Sequence, residues 1–218
     1  GNSATLAGAG LYSQSSTVTL QYDTFSNNDA TTGNGGGIAF DDGTLSVSNS
    51  SFTGNRGANA GGISAYGTLT VTTASFNDNQ VTNSGGAISA YGPATIDAST
   101  FTGNSAARSG GAIWSYTGAN VLVRTSSLAN NSSALIGGGL SNEGGALTLL
   151  NSTVANNSSG SIGGGIDNRG SVTAIHTTLS GNSASDLGSA IRNADGASVT
   201  LRNTIVAGSA PKPNCAGA

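Results

Sequence analysis

The sequence predicts an all-β protein: a single-stranded parallel β-helix, right-handed, of about eight coils with three short strands each. Three observations carry the prediction. A unit of 24 to 27 residues recurs along nearly the whole chain, and a period of that length marks a solenoid. Each unit holds short segments in which aliphatic and small polar residues alternate, as in a strand buried on one face. No segment shows the 3.6-residue period of an amphipathic helix.

The unit is clearest over Phe101–Tyr116, FTGNSAARSGGAIWSY. It opens on Phe-x-x-Asn, which recurs at Phe25/Asn28, Phe52/Asn55, Phe76/Asn79 and Phe101/Asn104 and softens to Leu128/Asn131, Val154/Asn157 and Leu179/Asn182. A small polar loop follows, then a Gly-Gly pair and an aliphatic residue. The strand after the glycines is represented by Ile63–Tyr66, Ile88–Tyr91 and Ile113–Tyr116, with the aliphatic residue and the one two later facing inward. A turn with Gly67, Gly92-Pro93 or Gly118 leads to a second strand of the Leu-x-Val type, such as Leu45/Val47 and Val121/Val123. The third strand carries the Phe position, preceded by a hydroxyl residue from Thr24 to Thr204. Such strands cannot bury a face singly. Stacked like on like they enclose a core with two main columns: Leu11/Ile38/Ile63/Ile88/Ile113/Leu140/Ile166/Ile191 and Phe25/Phe52/Phe76/Phe101/Leu128/Val154/Leu179/Ile205. The Asn column falls where the chain bends. An Asn tolerates left-handed angles there, and its amide is expected to bond the same amide one coil away.

Residues 1–208 therefore form the β-helix and residues 209–218 a C-terminal tail, in which Pro211 and Pro213 interrupt pairing. Gly1-Asn2-Ser3-Ala4 matches Gly103-Asn104-Ser105-Ala106, and Gly208 takes the Asn position, so both ends are cut at one phase. Bare strand edges recruit other chains. The expectation is either a piece of a longer solenoid or a self-partner stacking head to tail into a filament.

Composition narrows the function. Charged residues are 8% of the chain and the net charge is −3, which leaves no basic stripe for nucleic acid. No apolar run reaches the ~20 residues of a membrane helix, so no membrane insertion of this segment is expected. The single Cys, Cys215, has no internal disulfide partner. Nothing in the sequence calls for a cofactor or a metal. The Gly-Gly pairs precede strands rather than helices and are not a phosphate-binding fingerprint.

The half-motifs Phe-x-x-Asn and Gly-Gly-Ala-Ile resemble the repeats of the chlamydial polymorphic outer membrane proteins, and those of other bacterial surface proteins with right-handed β-helix passengers. The resemblance runs from Asn2 to about Val206. It implies an extracellular or cell-surface location and a non-enzymatic role as adhesin, stalk, passenger or fibre subunit.

Other β-helix families cleave polysaccharides, so the outward columns matter. They run Tyr12, Ala39, Ser64, Ser89, Trp114, Ser141, Asp167, Arg192 and Gln14, Asp41, Tyr66, Tyr91, Tyr116, Glu143, Arg169, Ala194. Two features stand out. Glu143, Asp167, Arg169 and Arg192 form a charged cluster, read either as surface salt bridges or as a carboxylate pair for acid/base work. Tyr66, Tyr91 and Tyr116, with Trp114 beside them, form an aromatic patch, read either as a ladder-stabilising stack or as a platform for a glycan. His176, the only His, is expected between Asn151 and Arg202, with no triad or metal set around it. Asp41-Asp42-Gly43 reads as a turn and only as a feeble calcium suggestion. Hydroxyl pairs at Thr24/Ser26, Ser51/Thr53 and Thr100/Thr102 suggest a partial ice-binding lattice, which fails at Ala129, Ala155 and Val206. The leading expectation is a non-enzymatic surface module with no catalytic residues. The alternatives are a carbohydrate-binding or polysaccharide-degrading module and ice binding.

Overall fold

The computed structural model describes residues 1–208 and 212–217. Every regular element among them is a strand and every strand pairing is parallel, so the chain is a β-solenoid of about eight turns. The sheets contain nine, eight, eight and seven strands. One coil comprises Ile88–Ala90, Ala94–Asp97, Thr100–Thr102 and Ser105–Ala106. The fourth strand is the addition to the expected three. It occupies the small polar loop after the Asn, and its ladder continues through single bridges linking Ser84, Ser109, Ile136, Ile162 and Leu187. Five of the seven strands of this sheet have only two residues, too few to display an alternation, which is why this side of the coil read as a loop.

Inside, like stacks on like. Phe25, Phe52, Phe76 and Phe101 have nearly parallel rings at centroid spacings of 5.0, 4.7 and 4.7 Å, and Leu128, Val154 and Leu179 continue the column. The Ile column is buried from Ile38 to Ile191. Coil-to-coil register is set by these columns, because a one-residue slip would turn each apolar residue out.

The last coil corrects the expected register by one residue. Leu179 pairs with Val206, and Ile205 pairs with Thr178 and is 60% exposed. Thr204 therefore leaves the hydroxyl column before the Phe position; it follows Thr177, and its hydroxyl donates to Ala174 O and Arg202 O. Gly208, with φ +62°, takes the place of Gly181 (φ +63°) rather than that of Asn182. The position aligned with Asn182 lies outside the described residues. The final unit is a residue longer than its aliphatic pattern suggested.

Of the segment assigned to a tail, residues 209–211, with Pro211, and 218 lie outside the described residues. Cys215–Gly217 pairs with Ile191–Asn193 as the ninth strand of its sheet. Pro213 does not block this approach, since its carbonyl accepts a bond from Ser189 N at 2.9 Å. Ile191 beneath this strand is 2% exposed, whereas Leu201, over which no strand lies among the described residues, is 39% exposed.

The Asn ladder forms along the whole rod. From Asn28 to Asn157 the backbone N–H and the side-chain amide both donate to the next Asn Oδ1. From Asn55 to Asn182 the side-chain amide also reaches the Phe-position carbonyl of the preceding coil. Asn2 N donates to Asn28 Oδ1 and joins the series. The left-handed angles, however, fall one residue earlier than expected, on Asn27, Gly54, Asp78, Gly103, Asn130, Asn156 and Gly181. The ladder Asn itself is spent on hydrogen bonds that need an extended backbone.

The outer face of the first strand is also less open than alternation implies. Ser64, Ser89, Ser141 and Asp167 are all buried. The chain preceding the Gly-Gly pair folds back over them, and Ser89 Oγ donates to Ser84 O at 3.0 Å. This close return needs glycine: Gly110 has φ +65°, and a Cβ on Gly111 would sit 2.1 Å from Gly138 O.

Candidate functional site

The strand and turn residues that escape this cover form one line along the rod, because both outward columns keep the expected register. Three regions follow each other along it: a groove beside Tyr12 and Asp41, the aromatic patch, and the charged cluster.

The structure brings the four aromatic candidates together. Tyr66 and Tyr91 stack at 4.0 Å with an interplanar angle of 4°. Trp114 meets Tyr91 edge-on at 5.3 Å, and Tyr116 is tilted against both. Burial, with a smaller contribution from Tyr66, raises the Tyr91 hydroxyl pKa above its ordinary value. The stack runs along the rod axis, so Tyr66 and Tyr91 each give one face to the other, and Tyr91 stays partly exposed.

The charged cluster also assembles. Trp114 Nε1 approaches Glu143 Oε1 at 3.5 Å, Arg169 Nη1 holds Glu143 Oε2 at 3.0 Å, and Arg169 Nε lies 3.3 Å from Asp167 Oδ2. Arg192 Nη1 reaches Asp167 Oδ1 at 3.3 Å. Asp167 is wholly buried and is not part of an exposed salt-bridge array. Burial raises its pKa, and Arg169 and Arg192 oppose the rise. A carboxylate closed off from solvent and flanked by two guanidiniums is placed to hold coils together. Glu143, one-fifth exposed, is tied to Arg169.

At the other end, a groove of about 660 Å³ is lined by Leu6, Ala7, Tyr12, Asn34, Ala39, Asp41 and Tyr66. Tyr12 Oη donates to Asp41 Oδ2 at 2.6 Å, and Asn34 Nδ2 lies 3.5 Å from Tyr66 Oη. The bond to Asp41 raises the Tyr12 pKa. The sequence reading assigned Tyr66 to the patch but missed the groove. Its signal was the small Ala39 between Tyr12 and the bulkier turn residues. The wall formed by Leu6 and Asn34, by contrast, comes from the fourth side of the coil.

A second polar ladder was also missed. Asn142, Asn168 and Asn193 bond in sequence at 2.9 and 2.7 Å, at the end of the first strand of three successive coils. The recurrent Ser-Asn-Glu-Gly, Asp-Asn-Arg-Gly and Arg-Asn-Ala-Asp carry this signal. His176 stacks against Asn203, its ring nitrogen 2.9 Å from the Asn203 amide, and not against Arg202. The cause is the same one-residue shift of the last coil. Asp42 Oδ1 accepts from Gly43 N, closing the turn.

Two stretches, residues 73–91 and 98–116, match the Chlamydia polymorphic membrane protein repeat. The two matched stretches are similar to that repeat. Each matched stretch of this repeat contains a Phe-x-x-Asn half and a Gly-Gly half, and they end on Tyr91 and Tyr116. No curated protein and no solved structure matches the chain. Among the described residues no helix is long and apolar enough to cross a membrane.

Proposed function

We infer that the chain is a passenger-like β-helix of a bacterial surface or outer-membrane protein, acting as a non-enzymatic rod that displays a side face to a partner. The observation that carries this reading is the pair of polymorphic membrane protein repeats, a type found in non-enzymatic surface proteins, set in an unbroken ladder of coils. The chemistry is consistent with it. The one fully buried carboxylate of the cluster is engaged by two arginines, and the other is engaged by Arg169. A rod with few charges also suits display, because salt screens exposed charge pairs and this fold relies on few of them.

Protease shaving and antibody labelling of intact cells that make the protein test the location. The expected result is labelling without lysis; labelling only after lysis rejects it. Beads coated with the purified chain are expected to adhere to a target surface above the level of uncoated beads. Release of reducing ends from any of a panel of polysaccharides would instead favour the enzymatic alternative.

A further inference from the structure

We propose that the groove between Tyr12 and Tyr66 is a carbohydrate-binding slot for one or two rings of a neutral glycan. The inference rests on the surface-display reading for its setting only. Tyr91 covers one face of Tyr66, and the groove lies on the opposite side, toward Asp41 and Ala39 of the preceding coil. This is the free end of the aromatic stack, 45% exposed, and it is the place where a sugar ring can lay its C–H face against a tyrosine. Ala39 removes bulk from the floor. Tyr12 and Leu6 form the remaining apolar walls.

The polar groups are few and converge, as in sites that orient a small hydroxylated ligand. Asp41 uses Oδ2 to accept from Tyr12, which fixes the carboxylate and leaves Oδ1 with lone pairs for sugar hydroxyls. Asn34 is fixed in turn: Asn59 Nδ2 donates to its Oδ1 at 3.0 Å, and its own amide points to Tyr66 Oη. A volume of about 660 Å³ falls inside the range of ~300–1,000 Å³ typical of small-molecule sites. Asp41 beside Asp42 sets the charge preference. A uronic acid would bring a second carboxylate into the slot, so the ligand class is neutral hexose or N-acetylhexosamine.

The test uses the purified chain and saturation-transfer NMR with glucose-, mannose- and N-acetylglucosamine-based tetrasaccharides, with tetragalacturonate as the anionic comparison. At least one neutral tetrasaccharide is expected to bind and tetragalacturonate to bind more weakly. Tyr66→Ala should weaken binding about tenfold, the loss of one ring contact. Tyr66→Phe, which keeps the ring and the stack on Tyr91, should stay within about threefold. Asp41→Asn should weaken neutral binding and narrow the gap to tetragalacturonate, a change that a purely structural Asp41 would not produce. Thermal melts of each variant show that the fold persists. Absence of binding by all three neutral probes at millimolar concentration overturns the proposal. So does binding that ignores both Tyr66→Ala and Asp41→Asn, or that is lost with Tyr116→Ala and not with Tyr66→Ala. Since these titrations need no cell, their failure leaves the surface location untouched, and failed surface labelling leaves the slot untouched.

Discussion

Phe76 shows how one side chain holds this fold. Its ring lies 4.7 Å from Phe52 on one side and 4.7 Å from Phe101 on the other, with no exposure. Phe76→Ala opens a cavity that two rigid neighbours cannot fill and is expected to cost about 3–5 kcal/mol in a denaturant titration. Asn104 is the polar counterpart. Its Oδ1 accepts from Asn79 N and Nδ2, and its amide donates to Phe76 O and Asn131 Oδ1. Each buried group left without a partner costs about 1–3 kcal/mol, so Asn104→Ala should lose roughly 2–6 kcal/mol in the same titration. Asp167 contributes a pH dependence. Its folded pKa is raised by burial, so the folded state holds the proton more tightly than the unfolded chain. Its contribution to stability is fully present below the ordinary Asp value and is lost as pH rises through the folded pKa. Melts of parent and Asp167→Asn across pH 3–7 should show the parent losing stability relative to the variant as pH rises. Parallel curves would contradict the raised pKa.

At the scale of the strand and its turn, the informative position is the corner between the second and third strands. There Tyr22, Asn49, Thr73, Ala98, Thr125, Asn151, His176 and Asn203 all have positive φ. An L-residue with a Cβ costs roughly 1–2 kcal/mol in this conformation, and a β-branched one is the least suited to it. Thr125, at φ +53°, is exposed. Thr125→Asn, the residue already used at three corners, is expected to stabilise by about 1 kcal/mol, read as a higher midpoint in urea. The corner was hard to read in the sequence because its occupants share no side-chain property. What they share is a backbone angle imposed by the two sheets that meet there. The third strand was legible for the opposite reason, since Phe-x-x-Asn names both a core ring and a ladder amide. The fourth strand was not, because its pairs are made by backbone and carry no pattern of their own.

In the whole molecule each coil contacts only its neighbours, so stability is a sum of coil and interface contributions. Leu11, Val18, Leu20 and Phe25 in the first coil and Val199 and Val206 in the last are only partly buried, while the same columns are closed in between. Amide exchange should therefore be slowest over the stacked Phe and Asn coils, residues 52–157, and faster by orders of magnitude in the first coil. Uniform protection would imply one cooperative block and contradict the additive picture. The parallel solenoid, its eight coils, the Asn ladder and the register of the two columns expected to face outward were determined by the sequence alone. Repetition states the same side-chain requirement many times, and stacking then allows one register. The burial of Asp167, the face of Tyr66 left open and the groove beside it were decided only by the tertiary structure. Each depends on how the fourth side of the coil folds over the first strand, and that return is fixed by glycine backbone and carbonyl bonds that leave almost no mark in the pattern of side chains.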